Sequence, residues 1–406
     1  MLGPLITGLT SLRDFLSRSF LIGAFLPTLL FNTTNVLILF VWNWPFHNWA
    51  RREILDSALF DKTVVCALLF LFVWLQSYIV SALTPLWTRS LEGKNWPEKL
   101  RNEGIREHRK LFDSAQEQIN ACVEIYTAID EKREKFGDEI AAAFQQSSKP
   151  VSRPTGLIDV RTDMSMLQRI QRSGRLIKFE QLQTLVKAFL DDLKYVDTWT
   201  NREKISQDIT LIFDYAYKKA LQEHFRRDAE LSMGFGSGEE IEPTEFGNVG
   251  KSASAYCSRA FKCNLSLIWD PLRRAISKEA ESATNLDNCK AQMDFFVASF
   301  WLSLFQAVFW AIVFAAAGEV LGAISAAIVG PAICLLLWYG AAVGQYQALQ
   351  SLVIAALNSP LRHQVLVDLH LGLPANLVEE RELWDSINQA LGFGRDIPVR
   401  YQFQKQ

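Results

Sequence analysis

No stretch of this 406-residue sequence carries a paired-cysteine signature, a nucleotide-binding loop or a strongly charged face. Each absence removes a class of function. Lys and Arg number 42 and Asp and Glu 44, a net charge of −2, so nothing draws the chain electrostatically to nucleic acid. The six cysteines, Cys66, Cys122, Cys257, Cys263, Cys289 and Cys334, include no C-x-x-C pair. They read as free thiols of a reducing compartment, and the spacing of Cys257, Cys263 and Cys289 fits no common zinc pattern. The run Gly247-Asn248-Val249-Gly250-Lys251-Ser252 falls short of a phosphate loop, because the first glycine of that motif would stand at 245. Glu245 is there instead, its charge would repel phosphate, and no buried strand precedes it. The five histidines, His47, His108, His224, His363 and His370, are scattered. The adjacent acidic pairs Asp191–Asp192, Glu239–Glu240 and Glu379–Glu380 point apart on a helix and make no acid/base pair. No catalytic, cofactor-binding or metal-ligating residue is assigned, and the chain reads as a non-enzyme. Nowhere do residues alternate with period two between turn signals, so the expected fold is all-α.

What the chain does have is uncharged apolar length. Phe295–Ala317 and Val320–Val343 contain no charge and are separated only by Gly318 and Glu319. Each is long enough to cross roughly 30 Å of hydrocarbon as a helix, so the chain is expected to cross, turn tightly and return. A second pair lies at Phe20–Trp42 and Val64–Leu83. The sequence therefore predicts four transmembrane helices in two hairpins, 20–83 and 294–343. Ahead of them, Leu2, Leu5, Ile6, Leu9, Leu12 and Leu16 recur at helical spacing, which suits an interfacial amphipathic segment over 1–19 rather than a signal peptide. Trp42, Trp44 and Trp49 read as an aromatic belt.

Orientation follows from the flanks. Arg89, Lys94, Lys99, Arg101, Arg106, Arg109 and Lys110 follow the second span closely, whereas the 43–62 connection balances its cations with acids. The positive-inside rule puts the region after residue 84 in the cytoplasm, and with four spans both termini as well. Residues 84–293 are then a helical cytoplasmic domain. Phe112, Ala115, Ile119, Cys122, Tyr126, Ile129, Phe136, Ile140 and Ala143 form a heptad seam broken at Arg133, which predicts a coiled coil whose partner is in cis or in another subunit. QQSSKPVSRPTG at 145–156 reads as a linker, and two further helical stretches fall at 179–196 and 201–229. The five glycines of SMGFGSGEEIEPTEFGNVG at 232–250 predict a loop, and Pro271 the start of a new helical segment before the third span. Residues 344–406 continue the last span helically to Leu357, break at Pro360, and end in short amphipathic helices and a tail.

Within the spans, Pro27, Asn32, Asn35, Gln76, Gln306 and Pro331 are candidate functional positions. The prolines predict kinks that free carbonyls, and polar side chains are costly against lipid unless they face other helices or a polar path. Interhelical bonding is the reading favoured for the amides. Gly340 and Gly344 form a G-x-x-x-G pair, and Gly322, Ala326 and Gly330 a second small-residue row. Both suit close packing of the fourth span against another helix.

Two stretches resemble a group of bacterial four-helix membrane proteins with no assigned activity. The resemblance rests on Pro243, Thr244, Gly247 and Asn248, a Pro-Thr-x-x-Gly-Asn signature ahead of the third span, followed by Tyr256, Trp269 and Leu272. It extends to the C-terminal stretch from Ser351 to Trp384 and to FLPTLLF in the first span. Where the group's pattern has Tyr-Gly, this chain has Phe261-Lys262, and Ser254 stands near a usual acidic place. The resemblance implies topology and a candidate functional loop at Pro243, Thr244, Gly247, Asn248, Tyr256 and Trp269; it implies no reaction.

Together these features predict a multipass protein of a bacterial inner membrane, acting as a membrane-anchored scaffold or signalling module through its cytoplasmic helices. Its expected partners are the lipid bilayer and a protein or a second copy of itself. The alternative is an oligomeric channel gated by the cytoplasmic domain.

Overall fold

The computed structural model describes residues 17–42, 48, 59–146, 202–235, 238 and 240–393. The amphipathic segment ahead of Ser17, most of the 43–62 connection, the linker at 147–156, the helical stretch at 179–196 and the tail beyond 393 lie outside the described residues. The described residues are helical with no strand. In chain order the helices are α1 (Arg18–Trp42), α2 (Leu59–Leu91), α3 (Glu98–Gln146), α4 (Arg202–Phe235), α5 (Glu245–Phe261), α6 (Leu265–Ser277), α7 (Ala280–Ala316), α8 (Val320–Asn358), α9 (Leu361–Asp368) and α10 (Leu377–Phe393). Four of them, α1, α2, α7 and α8, are long and apolar enough to cross a membrane. The chain forms two compact units, one of residues 1–109 and 232–406, which holds these four helices, the other of Lys110–Leu231.

In the first unit α7 is the post against which the other long helices stand. It packs on α1, α2 and α8, and its buried side chains, from Val297 and Ala298 to Ala307 and Trp310, line the contacts. The turn into α8 is as tight as the sequence predicts. Gly318 takes φ +78°, the Gly318 N–H donates to the Ala315 carbonyl and the Glu319 N–H to Phe314, closing the end of α7. The close approach of α7 and α8 is made by the row containing Gly322 and Gly330: a Cβ on Gly330 would come within 2.3 Å of Ala307 Cβ. Gly340 and Gly344 do not share that role. Beyond its own helix, neither has an atom within 4 Å of where a Cβ would sit, so the G-x-x-x-G pair makes no close packing contact among the described residues. Its spacing matched a packing motif, but the α7 contact lies nearer the α7–α8 turn.

Pro27 meets a helix that has made room for it. Pro27 has no N–H to return to the carbonyl of Gly23, and α1 widens into a π-turn at Leu21–Phe25 just before it. Pro331 lies inside α8, three residues ahead of a second π-turn at Cys334–Tyr339.

At one end of the bundle the shorter helices build a second apolar core. The buried positions of α5, Phe246, Val249, Ala253, Cys257 and Phe261, recur at three- and four-residue spacing. From Ala253 onward they join Ile268 and Leu272 of α6, Leu357 of α8, Leu366 of α9, and Leu383, Trp384 and Ile387 of α10. Pro271 is internal to α6 rather than its start. Asn264 caps that helix by accepting from the Ser266 N–H, and the buried face of Ile268, Leu272 and Ala275 holds the turn through the proline. The glycine-rich stretch is likewise shorter as a loop than its composition predicts: α4 continues to Phe235, and α5 begins at Glu245 because Thr244 caps it.

In the second unit two residues of the heptad pattern are buried, and one hydrogen bond joins α4 to α3. Ile119 and Cys122 of α3 and Ala220 of α4 are buried, and Arg227 donates to Gln118. Hydrogen bonds from Arg226, with further help from Arg227, hold the Glu223 carboxyl down at about 2, against the effect of its partial burial.

Candidate functional site

The signature Pro243, Thr244, Gly247 and Asn248 folds into a buried knot. Thr244 caps two helices at once: its Oγ1 accepts from the Gly247 N–H at 3.0 Å at the start of α5, and donates to the Leu91 carbonyl at 2.7 Å at the end of α2. A second orphan donor of α5, the Phe246 N–H, reaches the Tyr339 hydroxyl at 3.4 Å. Asn248 is fully buried with its amide satisfied. It accepts from the Glu242 N–H at 2.7 Å and donates to the Glu242 and Thr244 carbonyls at 3.0 and 2.9 Å. Gly247 is required by space: a Cβ there would lie 2.6 Å from the Glu92 carbonyl oxygen.

Pro243 extends the knot to the root of α3. Its ring sits where a Cβ on Gly93 would come within 2.2 Å, and its carbonyl within 2.5 Å of one on Gly104, in the second turn of α3. Gly93 has φ +78° and ends α2, with the Gly93 N–H bonded to Ser90 and the Lys94 N–H to Arg89. Arg109 of α3 donates to the Gly238 carbonyl at 2.7 Å, and Arg259 of α5 to the Ser232 hydroxyl of α4 at 3.0 Å. His108, beside the Phe235 ring, is pushed below the ordinary imidazole range by burial, with Glu245 opposing the shift.

Two buried carboxylates flank the knot, and composition gave no sign of either. Glu92 accepts from the Tyr346 hydroxyl of α8 at 3.1 Å and pairs with Lys94 at 2.8 Å. Glu242 pairs with Lys251 at 2.9 Å, and Lys251 also reaches Glu240 at 3.0 Å. Burial works against the Lys251 charge, but the bonds to Glu242 and Glu240 outweigh it and raise its pKa. Lys251 is thus held by acids inside a helix. That removes the remaining likeness of its neighbourhood to a phosphate loop.

The other sequence candidates lie elsewhere. Tyr256 donates to Asn358 at 2.7 Å, tying α5 to the end of α8, and Trp269 packs on the second core with it. Inside the bundle, Asn32 donates to Gln76 at 2.7 Å and to the Thr28 carbonyl at 2.8 Å. Asn35 accepts from the Trp310 indole at 2.8 Å. Gln306, one turn before Trp310, has a buried amide nitrogen with no hydrogen-bond partner among the described residues. Pairwise bonding between helices accounts for three of the four amides.

Beside the knot a cavity of about 600 Å³ opens between α1, α2 and α7. Glu92 and Arg89 line it at one side, Lys290 and Asp294 at another, with Ser17, Thr88 and the π-turn residues Gly23 and Ala24 between. Polar groups and apolar walls meet there. Among the described residues no three His, Cys, Asp or Glu side chains are placed to hold a metal ion, and all six cysteines are free thiols, five of them buried. Compared with protein-family models, curated proteins and solved structures, the chain matches none.

Proposed function

We propose that this is a multipass membrane protein of a bacterial inner membrane, with both chain ends cytoplasmic, that serves as a membrane-anchored scaffold or signalling module. The observation that carries the reading is the clamp around Pro243, Thr244 and Asn248. One buried knot fixes the end of α2 and the start of α5 and touches the root of α3, and farther along α5 Arg259 reaches Ser232 of α4; α3 and α4 are the helices that lead into the Lys110–Leu231 unit. A displacement at the bundle end is then passed to those roots rather than absorbed by a loose loop. The likeness to the uncharacterised four-helix group belongs to the same proposal, since its signature residues are the ones that tie the knot. A partner protein or a second copy binds the helices of that unit.

The test is photo-crosslinking from Glu117 and Glu124, exposed positions on α3, in the full chain in its native membrane. A discrete adduct whose yield changes severalfold in Asn248→Ala supports the module. A monomer that gives no adduct at either position overturns it.

The alternative, an oligomeric channel, draws on one observation: the unpartnered Gln306 amide beside the paired Asn32, Asn35 and Gln76. Ion flux in liposomes that is lost in Gln306→Leu would favour it over the scaffold. Ion-tight liposomes would sink it.

A further inference from the structure

We infer that the cavity between α1, α2 and α7 is a binding site for the phosphate ester of an amphiphile, a phospholipid headgroup. The inference rests on the reading of the bundle as membrane-spanning, and starts from the charges of the lining. Four charged residues line the cavity. Lys290 and Asp294 neutralise one another at 2.7 Å, and Glu92 is taken by Lys94 and the Tyr346 hydroxyl. Arg89 remains. It has no ion pair among the described residues, so the cavity keeps one uncompensated guanidinium, whose planar fork of donors matches phosphate oxygens.

The rest of the wall suits the same ligand. Ser17, Ser19 and Thr88 line it, and the first turn of α1 adds the positive end of a 25-residue helix. On α2, Pro85 has no N–H to offer the Ser81 carbonyl one turn back, and both residues line the cavity, leaving an acceptor for a headgroup ammonium or hydroxyl. Phe20, Ala24 and Met293 supply apolar wall.

Position decides between a headgroup and a wholly water-soluble ester. The cavity lies where the apolar run of α1 begins and that of α2 ends. At the same end of the bundle the Trp87 and Trp301 rings stack at 6.5 Å, the aromatic placement of a headgroup boundary. Exposed Leu26, Tyr78 and Leu86 continue from it along the helices, an apolar track for acyl chains. A ligand with an anionic ester at one end and hydrocarbon at the other meets every wall.

The experiment uses the full chain, delipidated in mild detergent, with native mass spectrometry of added phosphatidylglycerol, phosphatidylethanolamine or diacylglycerol. Wild type should hold either phospholipid at least tenfold more tightly than diacylglycerol, and Arg89→Glu should lose most of that margin. Arg106→Glu, a charge reversal at an exposed position outside the cavity, should keep it. Thermal melting of each variant confirms that the fold survives. Displacement by glycerol phosphate at comparable concentration would support the phosphate-ester site while assigning it a soluble ligand; failure of glycerol phosphate to compete supports the lipid. Equal binding by wild type and Arg89→Glu, or no preference over diacylglycerol, would overturn the site. Alkaline carbonate extraction separates the two readings. Release of the protein from membranes defeats the membrane reading, whereas retention with unchanged Arg89→Glu binding defeats this site alone.

Discussion

Two buried carboxylates hold this protein together, and their surroundings are opposite in kind. Glu380 is sealed. Arg362 grips it from α9 with two nitrogens and lies 4.1 Å over the Phe261 ring, and the Trp384 indole donates to it at 3.2 Å. Glu92 is also buried but borders a cavity, and its cation, Lys94, is half exposed. An acid enclosed by donors from two helices fixes geometry. An acid that shares its carboxylate between a tyrosine hydroxyl and a wet lysine, at the rim of a cavity, can change partners at little cost. The first belongs to the core, the second to the part of the molecule able to respond to a ligand.

Removing the carboxylates one at a time tests that contrast most strongly at Glu380. Glu380→Ala leaves the Arg362 guanidinium buried without its counter-charge and the Trp384 N–H without an acceptor. The expected loss is about 3–5 kcal/mol, read as a lowered thermal midpoint in detergent. An effect below about 1 kcal/mol would mean that the site is not sealed.

The two regions also differ in how their helices end. In the knot, the left-handed position after α2 is Gly93; beside the Glu380 core, the left-handed positions are Lys262 after α5 and His370 after α9, each at φ 56°. Gly93→Ala forces a Cβ into the Pro243 ring and a disfavoured φ together, and should cost about 2–4 kcal/mol and loosen the clamp on the root of α3. Hydrogen exchange in residues 98–109 reads that loosening. Lys262→Gly relieves strain without removing a side-chain bond seen in the structure, and should raise stability by about 1 kcal/mol. A sign reversal in either variant would break the parallel.

Those positions also mark where the sequence stopped being informative. The four apolar helices were legible because hydropathy over twenty residues needs no partner to be read, and Gly318 was legible because glycine in a two-residue gap has one use. Thr244 and Asn248 stood out as a pattern, yet their role as a double cap and a loop clasp depends on Leu91 and Glu242. Leu91 lies 153 residues away in the chain, a distance that no local rule reaches. Lys262 was hidden for another reason: local propensity places glycine at such an end, and here the packing of Phe261 and Cys263 into the second core overrides it. Glu92 and Arg89 gave no sign of the cavity, since each reads as one more charge on a polar flank. Gly340 and Gly344 gave a signal that no described helix of the chain answers, because G-x-x-x-G spacing marks a surface fit for close approach and cannot say which helix approaches.

The smallest expected effect tests the comparison most finely. Glu92→Gln keeps an oxygen to accept from the Tyr346 hydroxyl and gives up only the pairing with half-exposed Lys94, so the stability change should stay below about 1 kcal/mol. The same exchange at Glu380 removes the charge that Arg362 faces with both nitrogens and should be several times more costly. What Glu92→Gln alters is the cavity: one negative charge leaves its wall and Lys94 loses its anchor, so an anion held by Arg89 should bind more tightly. Measured on one protein preparation, a near-silent melting curve with a several-fold gain in phospholipid retention separates a responsive acid from a structural one. A large stability loss with no change in retention would place Glu92 in the same class as Glu380 and leave the molecule with two sealed acids.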